Sequence, residues 1–256
     1  MTSMTTTLLA RVYGKKRKKL LESVRYDISC MIKELEVNLL HFGTDKKGHL
    51  TVSLDGPDSE FIINMLIKDY GSSTTFEKIT EGEKFLGSLV DVGKVGYGFY
   101  VDIAIVGLSR TDALVPLHRI RDQFGIKKSL RFLSNSLVLV DNFPVEIKIT
   151  SIDRTYQKAE AEFTKKTLDR FEAWVHDEHE RLLIFGANNN MIKTTLEKSN
   201  HLQDIYEIEK LGPFEYALVC KRSTRASGIL AAIGPKLQGV PMHLFIPKEI
   251  EAKLNA

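Results

Sequence analysis

At 256 residues, 43% hydrophobic and 27% charged, the chain is long enough for one large domain or two to three small ones, and its composition is that of a soluble globular protein. Its formal net charge of +3 is mild, which excludes polyanion binding driven by the overall field and leaves that role to local basic clusters. Cys30 and Cys220 form neither a C-x-x-C pair nor a disulfide framework, and both lie in apolar stretches, so they read as reduced core residues of a cytoplasmic protein. The opening M-T-S-M-T-T-T-L-L-A is no secretory signal, and no window approaches the ~18 apolar residues of a spanning helix, so no membrane partner is expected.

In chain order, Thr7 to Tyr13 reads as a strand. G-K-K-R-K-K follows, then Leu20, Val24, Ile28, Met31 and Leu35 on one stripe of an amphipathic helix. Val37 to Phe42 and Leu50 to Leu54 read as strands around the turn G-T-D-K-K-G. Asp58 or Ser59 is placed to cap a helix carrying Phe61, Ile62, Met65 and Leu66, and Phe76 to Ile79 reads as a last short strand. The order βαββα(β) predicts a ferredoxin-like domain over residues 1–82. All-β signals then run through 83–163. A helix from Lys165 to about Glu178, with Leu168, Phe171, Trp174 and Val175 on one side, reads as a spacer within 164–181. Residues 182–256 repeat the order βαββαβ, ending on Ala226 to Leu237 as a helix and Met242 to Ile246 as a strand. The fold class expected is multidomain α+β: two ferredoxin-like domains flanking a barrel. No residue-level repeat relates the outer two.

The central segment carries G-S-L-V-D-V (87–92), G-Y-G-F-Y-V-D-I (96–103), D-A-L-V-P-L (112–117), V-E-I-K-I-T-S-I-D (145–153) and K-A-E-A-E-F (158–163). In that order and spacing it resembles an S1-type RNA-binding domain, a five-stranded OB-fold barrel. The resemblance implies that Tyr97 and Tyr100 stack bases, that Asp153 and Lys158 (less closely Arg154) flank the binding face, and that Phe99 and Val101 point inward. It departs at Pro116, where the family usually has histidine. Aromatic stacking contributes ~1–3 kcal/mol per base without reading sequence, and a bulge at Gly98 would turn both rings to one face. Basic residues suited to phosphates surround the segment: Lys94, Arg119, Arg121, Lys127, Lys128, Arg131 and Lys148. Lys15, Lys16, Arg17, Lys18 and Lys19 crowd a helix start, where mutual repulsion and the dipole favour a bound anion, and Lys221, Arg222 and Arg225 form a third cluster. The alternative for the tyrosines is burial under a neighbouring domain.

Cofactor and catalytic signals are weak. G-K-V-G-Y-G (93–98) sits in a hairpin rather than between a strand and a helix, and neither G-x-x-x-x-G-K-[ST] nor G-x-S-x-G occurs. His176 and His179 have helical i, i+3 spacing without an evident third metal ligand. The small residues of R-A-S-G-I-L-A-A-I-G (225–234) are similar to the glycine-rich helix of ACT ligand-sensing domains, displaced to the second helix. The whole chain resembles an archaeal domain-of-unknown-function family with an S1-like centre, most closely from Leu211 to Pro247. The layout of barrel, helix and α/β domain is also similar to the alpha subunit of archaeal translation initiation factor two. Together these imply a non-enzymatic, cofactor-free, cytoplasmic RNA-binding protein of translation, ribosome function or RNA metabolism. The alternatives are a protein–protein adaptor and a small-molecule sensor.

Overall fold

In the computed structural model, which describes residues 3–107 and 111–254, the chain opens with β1 (Met4–Arg11), α1 (Arg17–Met31), β2 (Asn38–Thr44), β3 (His49–Asp55) and α2 (Ser59–Tyr70). Leu20, Val24 and Ile28 recur every four residues, and that stripe is the buried face of α1. It packs with Ile62 and Leu66 of α2 onto Leu50, Val52 and Leu54, the inward residues of β3. The sheet order is β1-β3-β2, antiparallel throughout. Asp58 stands at the N-cap of α2 without a side-chain cap bond; its carboxylate instead accepts from Glu36 N–H at 2.9 Å. Cys30 is exposed on α1 rather than buried, because it lies off that stripe, whereas Cys220 is buried.

The expected strand at Phe76 to Ile79 does not form. Gly71, at φ +75°, turns the chain after α2, and Leu9 N–H donates to its carbonyl. Residue Ser72 makes a single bridge to Leu8, and β4 (Thr74–Thr75) then pairs in parallel with β7 (Ile105–Val106) of the next domain. Phe76 and Ile79 are drawn into the barrel core, with 76–78 in a 3₁₀ turn. Burying two large apolar side chains outweighs a few more ladder hydrogen bonds at a sheet edge.

The barrel comprises β5 (Lys84–Val90), β6 (Gly98–Asp102), β8 (Ala113–Pro116), β9 (Pro144–Asp153) and β10 (Lys158–Phe163), closed in the order β10-β8-β6-β5-β9. Only the β8–β10 contact is parallel. Between β8 and β9 lie α3 (Leu117–Phe124) and α4 (Leu130–Ser136), the latter capped by Ser129, whose hydroxyl accepts from Phe132 N–H. Gly98 makes no bulge. It sits in register opposite Pro116, where a Cβ would stand 2.5 Å from the Val115 carbonyl oxygen, so glycine is needed for close strand approach.

The helix α5 (Lys165–His176) buries Phe171 and Trp174 in the core shared by the barrel and the last domain, so it packs as well as links. There β11 (Arg181–Phe185), α6 (Asn189–Lys198), β12 (Ile205–Lys210), β13 (Glu215–Cys220), α7 (Ala226–Ile233) and β14 (Met242–Phe245) build an antiparallel sheet in the order β12-β13-β11-β14, and α8 (Pro247–Leu254) follows. The alternation of β11 divides two cores: Leu182 and Ile184 face α6 and α7, while Leu183 and Phe185 face the barrel side.

The first domain docks on the barrel through charge. Asp102, 2% exposed on β6, accepts from His49 Nε2 at 3.0 Å and from Ala104 N–H at 2.9 Å, with Arg11 Nη1 at 3.5 Å. Lys47 pairs with Asp112 at 2.7 Å beside it. Asp102→Ala is expected to cost about 3 to 5 kcal/mol in urea unfolding, because it leaves two buried donors facing no carboxylate. A loss below about 1 kcal/mol would mean the cluster behaves like a surface pair.

Candidate nucleic-acid interface

Outward and inward residues alternate along β6. Phe99 and Val101 fill the barrel, so Tyr100 and Asp102 point out. Tyr97 precedes the strand, and its carbonyl accepts from Leu117 N–H at 2.8 Å, which fixes the loop against the start of α3. Both rings thereby reach the same outer surface without a bulge. Their hydroxyls are 2.7 Å apart, and the rings meet edge to face at 85° with centroids 6.2 Å apart. Tyr97 is 54% exposed, so no neighbouring domain covers it, and Tyr100 is half-buried. The hydrogen bond to Tyr97, followed by partial burial, pushes the Tyr100 phenol up to about 12, and it stays neutral at physiological pH.

Beside Tyr97, residues 93–96 face α3 and α4 across a groove of about 430 Å³ whose charged lining is Lys94, Arg121 and Arg131. Lys94 reaches Asp91 at 2.6 Å, and Arg121 Nε donates to the Lys128 carbonyl at 2.8 Å. Arg131 is exposed on α4, Lys127 is exposed between the helices, and Lys128 lies 5.3 Å from the Phe132 ring centre. The opposite side of the face is different. Tyr100 stands opposite Leu114, and Leu114 opposite Glu160, so the row runs toward a carboxylate. Arg119 and Lys148 both reach Glu162 at 3.5 Å, and that carboxylate offsets part of their charge.

Other candidates have separate places. Asp153 accepts from Thr155 and Tyr156 N–H in the β9–β10 turn, where Lys158 lies 5.7 Å from the Tyr156 ring centre. Arg154 donates to the carbonyls of Phe76, Glu77 and Ile79, clamping the entry to the barrel. Pro116 is buried ahead of α3. Lys15 and Lys16 precede α1 and Arg17, Lys18 and Lys19 begin it; Lys15 packs on Gly239 of the last domain and Arg17 donates to Thr44. Among the described residues no hydrogen bond or ion pair joins that run to the ring pair. Arg225 pairs with Glu180 at 2.6 Å, and Glu180 also accepts from Ala226 N–H at the start of α7, beside Lys221 and Arg222. His176 is bonded to the Glu172 carbonyl and His179 to that of Cys220, and among the described residues no group of three or more His, Cys, Asp or Glu is placed to hold a metal.

Sequence reasoning missed the buried ionisable groups. Burial raises Asp102, but the His49 hydrogen bond and charge outweigh it and hold the carboxyl down to about 2. Both ring nitrogens of His49 face oxygens, the Leu9 carbonyl at 2.9 Å and the Asp102 carboxylate at 3.0 Å. In the last domain Glu215 is 5% exposed and accepts from Tyr13 Oη at 2.7 Å and from Phe214 N–H at 3.1 Å. Burial pushes its carboxyl up to about 7 against the pull of those donors and of Arg11. The one available signal was a charged residue heading the apolar run E-Y-A-L-V-C.

The fold and its site define a three-part α+β protein built around a closed five-stranded barrel whose outer face carries an exposed Tyr97 and a half-buried Tyr100. Three domain models match the chain in order: the DUF2110 N-terminal domain over residues 5–75, the DUF2110 central domain over 79–175 and the DUF2110 C-terminal domain over 179–244. The chain belongs to the DUF2110 family. No curated protein matches it.

The Glu215 geometry fixes a pH dependence. Unfolded, the carboxyl ionises near 4.5; folded, it keeps its proton to about 7, so the native state binds more protons between those values. Stability therefore falls as pH rises across that interval, by on the order of 3 kcal/mol, and levels off above it. Glu215→Gln, which can still bond Tyr13 and Phe214 N–H, is expected to flatten the curve. Urea unfolding of both proteins from pH 4 to 9 reads this directly, and parallel curves would contradict it.

Proposed function

We propose that the barrel is an S1-like OB domain that binds a short single strand of RNA without catalysis or cofactor, in a cytoplasmic protein of translation, ribosome function or RNA metabolism. The observation that carries this reading is the adjacency of the exposed Tyr97, paired with the half-buried Tyr100, to the groove lined by Lys94, Arg121 and Arg131. Stacking is tolerant of sequence, and three cations beside the rings suit the backbone that links stacked bases. Numbering barrel strands from β5, the closed order 5-3-2-1-4 with a parallel 3–5 contact and helices between strands three and four supports the OB reading. The orders β1-β3-β2 and β12-β13-β11-β14 support ferredoxin-like outer domains in the same way. The adaptor alternative has less support, because the first domain covers Asp102 and leaves Tyr97 exposed.

Fluorescence anisotropy with a labelled pyrimidine-rich RNA octamer tests this. Tyr97→Ala/Tyr100→Ala is expected to weaken binding by about tenfold or more. Lys94→Gln/Arg131→Gln is expected to weaken it and to lower the steepness of its salt dependence. Equal affinity of the ring variant and the wild type sinks the stacking role, and a DNA octamer of the same sequence shows whether the 2′-hydroxyl matters.

A further inference from the structure

A second concave site lies where all three parts of the chain meet. It is a cleft of about 300 Å³ between β1, the end of α2, β5, α5 and the β12–β13 turn, at the lower end of the range for small-molecule sites and at a domain junction, where such sites concentrate. We propose that this cleft binds a small organic anion with an apolar body.

Its walls are apolar. Leu86 projects from β5 and is 55% exposed, and Tyr70 and Leu211 line the cleft with it. Its charge is mostly positive. Arg11 lines the cleft too, but its Nη1 is sealed from solvent and faces the Asp102 carboxylate at 3.5 Å, so it contributes positive charge rather than a free donor. Arg170 is half-buried in the wall, donates to the Pro144 carbonyl at 3.2 Å, and makes no ion pair within 4.0 Å among the described residues. Lys68 and Lys210 stand on the same lining. The carboxyls are fewer. Glu215 is already bonded to Tyr13 and Phe214 N–H, and Asp69 is exposed at the rim. Arg170 lies near Glu209 and Glu146, which favour its charge, but it ion-pairs with neither, and a half-buried guanidinium with one carbonyl acceptor has donors left for an anion to meet. A carboxylate or a phosphate ester meets them, while its apolar part covers Leu86 and Leu211.

The site is independent of the ring pair, so failure of RNA binding leaves it standing. Calorimetric titration of the full chain with phenyl phosphate, benzoate and the uncharged benzyl alcohol tests it, the first two distinguishing phosphate from carboxylate. Saturable one-to-one binding of one anion is expected, weakened about tenfold by Arg170→Gln and by Leu86→Asp and unchanged by Tyr97→Ala/Tyr100→Ala. Leu86 is exposed enough that its replacement leaves the fold intact, which a circular dichroism melt verifies. The proposal is overturned if neither anion saturates at millimolar concentration, if benzyl alcohol binds as tightly, or if both cleft variants bind like the wild type.

Discussion

A single buried carboxylate orients the molecule. Asp102 sits on the outer wall of the barrel, where an unpartnered ionised group would be prohibitively costly. Its two oxygens are met by an imidazole, a guanidinium and the Ala104 N–H, the last presented by a residue held at φ +56°. A non-glycine residue in that region is strained, and the hydrogen bond to Asp102 is what the strain secures. Because His49 and Arg11 come from the first domain, the cluster sets where that domain stops on the barrel. It stops at Asp102, two residues past Tyr100, so the same contact that closes one end of the strand leaves the other open.

The other half of the architecture is held by rings rather than charge. Phe99 meets Phe163 inside the barrel; Phe163 meets Phe124 of α3; Phe124 meets Phe171 of α5; Phe171 stacks on Phe143 at 5.5 Å; and Trp174 meets Phe245 of the last sheet at 5.1 Å. Most of these contacts are tilted or edge-to-face, the favourable geometry for quadrupoles. The barrel and the final domain therefore share one continuous core. A face built on such a core has little freedom to rearrange, which suits recognition by preformed stacking surfaces.

Elements with a repeating local cause were legible in the sequence. The α1 stripe follows from period 3.6 and needed no tertiary information, whereas Phe99 and Val101, expected inward on a bulge at Gly98, point inward by the plain alternation of β6. The short helices α3, α4 and α8 were missed, because their burial is decided by the barrel end and α5 that they cover rather than by a strong apolar run such as the one that marks α7. Partner choice was equally hidden. Nothing near His49 points to a carboxylate 53 positions away, nor anything near Tyr13 to one 202 positions away. The basic residues could be counted but not their partners: Arg119 and Lys148 share Glu162, and Arg154 serves backbone carbonyls, while Lys94, Arg121 and Arg131 converge on one groove.

That convergence gives the barrel face a direction. From Tyr100 the surface passes through Leu114 to Glu160 on one side, and through Tyr97 to the three-cation groove on the other. A polyanion laid across the rings meets offset charge toward β10, where Glu160 stands and Glu162 faces Arg119 and Lys148, and net positive charge toward the groove beside the β5–β6 loop. On the proposed reading, the strand is steered off the barrel axis toward α3 and α4, with its bases over Tyr97 and its phosphates in the groove. The half-buried Tyr100 then acts less as a second stacking platform than as the support that holds Tyr97 upright through their shared hydrogen bond.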